Sequence, residues 1–130
     1  TTAITLPSAD GSADQVLTTD GSGTLSFVDN TGGTSWVAIK TGAYTASAGE
    51  GVFVNTPSSA FAITLPASPS LGDEVSIVDY AGTFDSNACT IGRNSQPIMG
   101  VAEDLVVSTE RASFTLVYVD GTQGWLFKGD

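Results

Sequence analysis

Histidine is missing from this chain of 130 residues, and cysteine occurs once. Bases are nearly as scarce: Lys40, Arg93, Arg111 and Lys128 stand against 14 acids, a formal net charge of −10. Each shortage closes a class of function. Without histidine no Ser–His or Cys–His nucleophile can be assembled, and Lys40, preceded by VAI and followed by TGAY, lies in no S-x-x-K pattern and reads as a surface lysine. One cysteine and no histidine leave no zinc ligand set. So acidic a chain repels phosphate backbones and anionic lipid, which excludes nucleic acid and membrane-surface partners. No stretch approaches the roughly 18 apolar residues of a membrane span, and the N-terminus has no basic-then-apolar signal pattern. Cys89 has no partner for an internal disulfide and reads as a small buried hydrophobe. A chain that starts at Thr1 without an initiator Met reads as processed or excised.

What is abundant points to β structure. The chain holds 17 Thr, 15 Ser and 15 Gly, together about a third of its residues. Gly costs backbone entropy in a helix, while Thr and Ser favour strands or turns. Hydrophobic residues make up 41%, enough for a core. In ASFTLVYV (112–119), Phe114, Leu116 and Tyr118 fall on one face and Thr115, Val117 and Val119 on the other. DGTQG (120–124) and WLFK (125–128) follow, which predicts a hairpin around Asp120-Gly121. Further strands are expected at 51–55, 61–65, 74–80, 89–91 and 104–108. The best helix candidate, 102–112, has Val106 and Val107 in mid-run and reads better as strand.

Residues 1–33 differ from 34–130. Over 10–33 the apolar set is thin (Val16, Leu17, Leu25, Phe27 and Val28), too small to offset ordering entropy without a neighbour. NTGGTS (30–35) then reads as a hinge. The organisation expected is all-β: a shaft-like arm over 1–33 followed by a sandwich- or barrel-like head over 34–130. One sentence of sequence also occurs twice. AITLPSADGSADQV (3–16) and AITLPASPSLGDEV (62–75) align without a gap at an offset of 59, and Asp20, Gly23 and Thr24 match Asp79, Gly82 and Thr83 at the same offset. The chain reuses one β-arch unit, with Asp14 or Asp73 expected to set the turn before the second strand.

The search for chemistry yields little. Asp73-Glu74 and Glu103-Asp104 are adjacent carboxylates, which a strand sends to opposite faces. Asp79, Asp85 and Asn87 only imitate a cation loop, so no metal and no cofactor is expected. Trp36, Tyr44, Tyr80, Phe84, Tyr118 and Trp125 are candidates for stacking on sugars, or for core. The longest polar irregular stretch, 82–97, carries the candidate binding residues Asp85, Asn87, Arg93, Asn94 and Gln96. The competing reading is a loop that bonds its own backbone.

The stretch ITLPSADGSADQVLTTDGSGTLSFVD (4–29) resembles the LP…DG…QVLTTDGxGxL element of tail fibres and structural proteins of tailed phages, especially those of marine bacteria and cyanobacteria. TLPASPSLGDEVSIVDYAGTFDSNACTIGRN (64–94), with the late LVY…GW pair, is similar to the distal β domain of such fibres. Ser95 departs from the Gly expected after Arg93-Asn94. The resemblance implies an intertwined homotrimer in the extracellular virion, joined to other phage tail proteins. It implies a tail-fibre tip that acts in host adsorption through a receptor, a glycan by expectation, and supplies no catalytic positions. The alternatives are a purely structural connector, collar or capsid-decoration protein, and a fragment of a glycan-degrading spike, against which the missing histidine and unpaired carboxylates argue.

Overall fold

A computed structural model describes residues 3–30 and 33–128, so Thr31 and Gly32 of the expected hinge lie outside the described residues. The described chain is all-β, with no helix among these residues. It divides into two compact units, Thr1–Gly33 and Thr34–Asp130. The first carries β1 (Gln15–Thr19) and β2 (Leu25–Asp29). The second carries β3 (Ser35–Trp36), β4 (Tyr44–Thr45), β5 (Glu50–Val54), β6 (Phe61–Thr64), β7 (Glu74–Asp79), β8 (Cys89–Gly92), β9 (Leu105–Val107), β10 (Ser113–Asp120) and β11 (Gly124–Phe127).

In the larger unit the chain alternates between two sheets. Strands β3, β5 and β7 lie parallel in one, and β4, β6 and β8 lie parallel in the other. Each of the five steps from β3 to β8 is therefore an arch between sheets. Antiparallel strands finish the stack: β10 and β11 extend the first sheet to the order β11-β10-β7-β5-β3, and β9 extends the second to β4-β6-β8-β9. Both sheets stay open, so the barrel-like alternative is not realised. Short strands explain why the parallel order is hidden in the sequence, since no helical crossover announces it.

The faces follow the two-residue period. Val52 and Val54 of β5, Val75 and Ile77 of β7, and Leu116 of β10 are fully buried and meet Ile63, Cys89 and Ile91 of the other sheet in one cluster. Each aliphatic chain buried this way contributes about 1.5–3 kcal/mol. Residues outside the strands complete the core: Ala46, Leu65, Phe84 and Ile98.

The repeated sentence has a structural counterpart. Asp20 Oδ1 accepts the N–H groups of Ser22 (2.7 Å) and Thr24 (3.1 Å), and Gly23 holds φ 100°. Asp79 Oδ1 accepts those of Gly82 (3.0 Å) and Thr83 (3.1 Å), and Gly82 holds φ 72°. The offset of 59 thus relates two Asp-headed turns that share the bond from the fourth residue on, Thr24 or Thr83, and differ in the other donor. Beyond the turn the copies diverge. Thr5 bridges Thr24 in parallel, whereas Thr64, the counterpart of Thr5, pairs with Gly92 and not with Thr83, the counterpart of Thr24. The longer path to Gly92 contains the loop that delivers Phe84 to the core.

The earlier turn is shifted by one residue. In the larger unit Asp73 Oδ2 accepts Ser70 N–H at 2.8 Å and Gly72 has φ 92°. In the smaller unit Gln15 Oε1 accepts Ser12 N–H at 2.8 Å and Asp14 has φ 68°. The expectation that Asp14 sets its turn is thus corrected. Asp14 occupies the left-handed position that Gly72 fills, a conformation a short polar side chain tolerates, and Gln15 does the accepting.

Candidate functional site

The five residues picked out by sequence do not form one cluster. They lie at the two ends of β8, a strand of four residues that spans about 13 Å. At its start, Asp85 is exposed in the turn that closes with Asn87 N–H on Thr83 O at 2.8 Å, and Asn87 Nδ2 donates to Thr56 O at 3.0 Å. At its end, Arg93 N–H donates to Asp104 Oδ1 (2.9 Å), and Asn94 Nδ2 donates to Leu65 O (2.9 Å). Gln96 Oε1 accepts Tyr118 Oη–H at 2.9 Å, and the Arg93 guanidinium reaches Gln96 O at 3.5 Å. Asn94 and Ser95 take φ 49° and 77°, so the turn keeps a left-handed pair even where Ser stands instead of Gly. Four of the five side chains are thus committed to bonds within the chain.

Asp79 of the imitation cation loop is turned inward. It is 2% exposed, and its second oxygen accepts Phe84 N–H at 3.1 Å and Arg111 N–H at 2.9 Å. Burial on its own would raise its pKa; the four backbone donors outweigh that and hold the carboxyl below its ordinary 3.8. No group of three or more metal-ligating side chains occurs among the described residues. The adjacent carboxylates are separated as expected: Asp73 caps its turn and Glu74 pairs with Lys128 at 3.0 Å, while Asp104 holds Arg93 N–H and Glu103 is exposed.

The aromatic candidates divide clearly. Phe84, Trp125 and Tyr118 belong to the core, and the phenol of Tyr44 donates to Glu50 Oε1 at 2.8 Å beneath the Lys40 ammonium, 4.1 Å from the ring centroid. Trp36 and Tyr80 stay about half exposed. Trp36 sits on the outer face of the larger sheet. Its partner across the ladder is Gly51, and the indole lies where a Cβ on Gly51 would be, stacked on Phe53 with ring centroids 4.7 Å apart and planes at 24°. Only glycine at 51 leaves room for that stack. Trp36 therefore stands as a ridge between two depressions. On one side is a cleft of about 630 Å³ walled by Val37, Ala38, Ile39, Phe53 and Tyr80. On the other is a groove of about 500 Å³ floored by Ser76 and Thr115, whose hydroxyls bond each other at 2.8 Å.

No protein-family model matches this chain, and no curated protein does. The geometry is thus the ground for function. Sequence reasoning singles out Trp36 as one aromatic among six but not its groove, because β3 is too short to show a period and meets β5 only after the arch through β4. The signal that could have found it is Gly51 at a strand start, since glycine on a sheet face invites a neighbouring ring to cover it.

The thiol offers no chemistry. Cys89 is fully buried and burial pushes its pKa up to about 12, with the Asp79 charge adding to the rise. An Ellman-type reagent is expected to leave the folded chain unlabelled at pH 8 and to label one thiol per chain in denaturant. Rapid labelling of the folded protein would contradict the burial.

Proposed function

We infer that this chain is a piece of a tailed-phage virion appendage, a tail-fibre tip assembled as an intertwined homotrimer that acts in host adsorption through a surface glycan. The observation that carries the reading is the smaller unit. Its two strands pair Val16 with Val28 and Leu17 with Phe27, and adjacent pairs of a ladder point to opposite faces. All four side chains are exposed, as are Ile4 and Leu6. A two-stranded hairpin with apolar pairs on both faces and, among the described residues, no second sheet of its own is at best marginal in water. Copies of the same unit wrapped about one axis would cover both faces, and their edges too. The sequence resemblance to tail fibres supports the same assembly, and attachment would be multivalent, with weak contacts on three heads adding up. The net charge of −10 fits partners other than nucleic acid.

A specific observation favours a second reading. Asn87, Arg93 and Asn94 spend their side chains on the chain's own carbonyls, as in a connector, collar or decoration protein without a receptor site.

Light scattering decides the assembly. A mass near three times 13.2 kDa is expected, falling to one copy when residues 1–33 are deleted. A trimer that survives the deletion would move the interface into the larger unit. A monomeric full chain would sink the fibre reading.

A further inference from the structure

We propose that the groove beside Trp36, on the outer face of the larger sheet, is a binding site for a neutral hexose of an extended glycan. The proposal rests on the adsorption reading above and places the receptor contact away from loop 82–97. Its walls bring together the two kinds of group a pyranose needs. Trp36 is 48% exposed while Phe53 stacks on its ring and Gly51 lies against it, so the indole is held in place with about half its surface open. The face of an aromatic ring is electronegative and meets the weakly positive C–H groups of a sugar ring, which also lose contact with water on stacking.

The polar side follows from hydrogen-bond arithmetic. Ser76 and Thr115 each have one O–H donor and two acceptor lone pairs. Their mutual bond at 2.8 Å uses one donor and leaves one O–H and several lone pairs on two residues that line the groove. Ser113 and Thr34 add two further hydroxyls along the walls. Hydroxyls that both donate and accept suit sugar hydroxyls, which do the same. The volume, about 500 Å³, falls within the roughly 300–1,000 Å³ of small-ligand sites.

Charge restricts the sugar to a neutral one. The cation at the groove, Lys128, is held by both oxygens of Glu74 at 3.0 and 3.2 Å, so its charge is compensated. The chain as a whole carries −10, which opposes uronic or sialic acids. A single stacked ring with a few hydroxyl contacts binds weakly on its own, and multiple heads would supply the firmness.

The test uses the full chain and its own fluorescence. There are two tryptophans; Trp125 is fully buried, so acrylamide quenches mainly Trp36. The probes are cello-, malto-, manno- and galacto-oligosaccharides, with polygalacturonate as the acidic counterpart, each raised to about 10 mM in sugar residues because an isolated contact of this kind has millimolar affinity. At least one neutral oligosaccharide is expected to protect Trp36 saturably, and polygalacturonate to have no effect. Ser113→Tyr fills the groove from an exposed position and should abolish the sugar-dependent change in quenching, whatever its own effect on the starting value. The same oligosaccharide, immobilised, should retain wild-type chain and lose both Ser113→Tyr and Trp36→Ala. Equal protection by polygalacturonate would overturn the proposal. Retention that survives both substitutions would overturn the groove and leave adsorption to be sited elsewhere. No response to any probe would overturn the groove and remove neutral glycan from the adsorption reading, whose trimer is judged independently by mass.

Discussion

Replacing Asp79 by Ala is expected to lower the stability of the larger unit by on the order of 4 kcal/mol, because it strands buried donors around one vanished carboxylate. Gly82, Thr83, Phe84 and Arg111 all point their N–H groups at its two oxygens, at 2.9–3.1 Å, and the side chain is 2% exposed. The hub ties three segments together: the end of β7, the loop that carries Phe84 into the core, and the approach to β10. A loss of this size corresponds to a fall in melting temperature of roughly 15–30 °C for a unit of this length. Asp79→Asn, which keeps one oxygen but turns an amide NH₂ toward two donors, should fall between. The pH dependence has a definite sign. The folded carboxyl titrates below 3.8, so its contribution is present above the unfolded value and is lost as pH falls through the folded one. Wild type should therefore lose stability steeply on acidification below about pH 4, and Asp79→Ala should show a shallower slope there. A melting temperature for Asp79→Ala within a few degrees of wild type would show that the hub is not what holds the loop.

Asp20, the counterpart at the offset of 59, provides the internal control. It heads a similar turn with Ser22 and Thr24, and their N–H bonds lower its pKa, yet it lies in water and accepts two of these backbone donors where Asp79 accepts four. Its loss should change the turn and little else.

The same pair shows what a sequence can disclose. Asp, Gly and Thr at fixed spacing state a local turn, since the accepted N–H groups follow closely in the chain, and the turn is legible wherever it occurs. Strand 113–120 is legible for a similar reason: Leu116 and Tyr118 alternate with Thr115 and Val117, and that period belongs to the strand itself. Which strand lies beside which is not. Pairing β5 with β7 in parallel places Val52 beside Ile77, although the whole of β6, a strand of the other sheet, intervenes in the chain. Nothing local encodes that pairing; it emerges from stacking arches so that Val52, Ile77 and Ile63 bury together. The groove is hidden twice over. Its ridge comes from the very short β3 and its floor from Ser76 and Thr115, which read singly as ordinary polar outward positions. The polar loop 82–97 attracts attention for the opposite reason, because amide side chains look available in a sequence even when, like Asn87 and Asn94, they are occupied by carbonyls of Thr56 and Leu65.

The hairpin after β10 separates two glycines that the sequence presents alike. Asp120-Gly121 suggests a tight turn at Gly121, but the chain continues through Thr122 and Gln123, whose N–H groups Asp120 Oδ1 accepts at 3.0 and 2.8 Å, and Gly124 pairs with Asp120 at φ 70°. This is a turn ended by a left-handed glycine in a bulge. A Cβ on Gly124 would also collide with the Pro97 carbonyl. That carbonyl accepts Trp125 N–H, and Met99 and Gly100 donate to Trp125 and Gln123 at 2.8 and 2.9 Å, so segment 97–100 is laced to β11 and presses Ile98 into the core at 4% exposure. Gly124→Ala must either displace that lace or strain the turn. The left-handed strain costs about 1–2 kcal/mol, and the three backbone bonds are worth about 1 kcal/mol each. The expected loss is on the order of 4 kcal/mol, measured by denaturant unfolding with an unchanged slope. Gly121→Ala has no positive φ to satisfy and meets only Gln96 Oε1 at 3.9 Å, so it should be nearly neutral. The reverse ranking would mean that the turn is centred on Gly121 and that β11 is paired in another register. A shift of one residue would carry Trp125 from the core to the outer face.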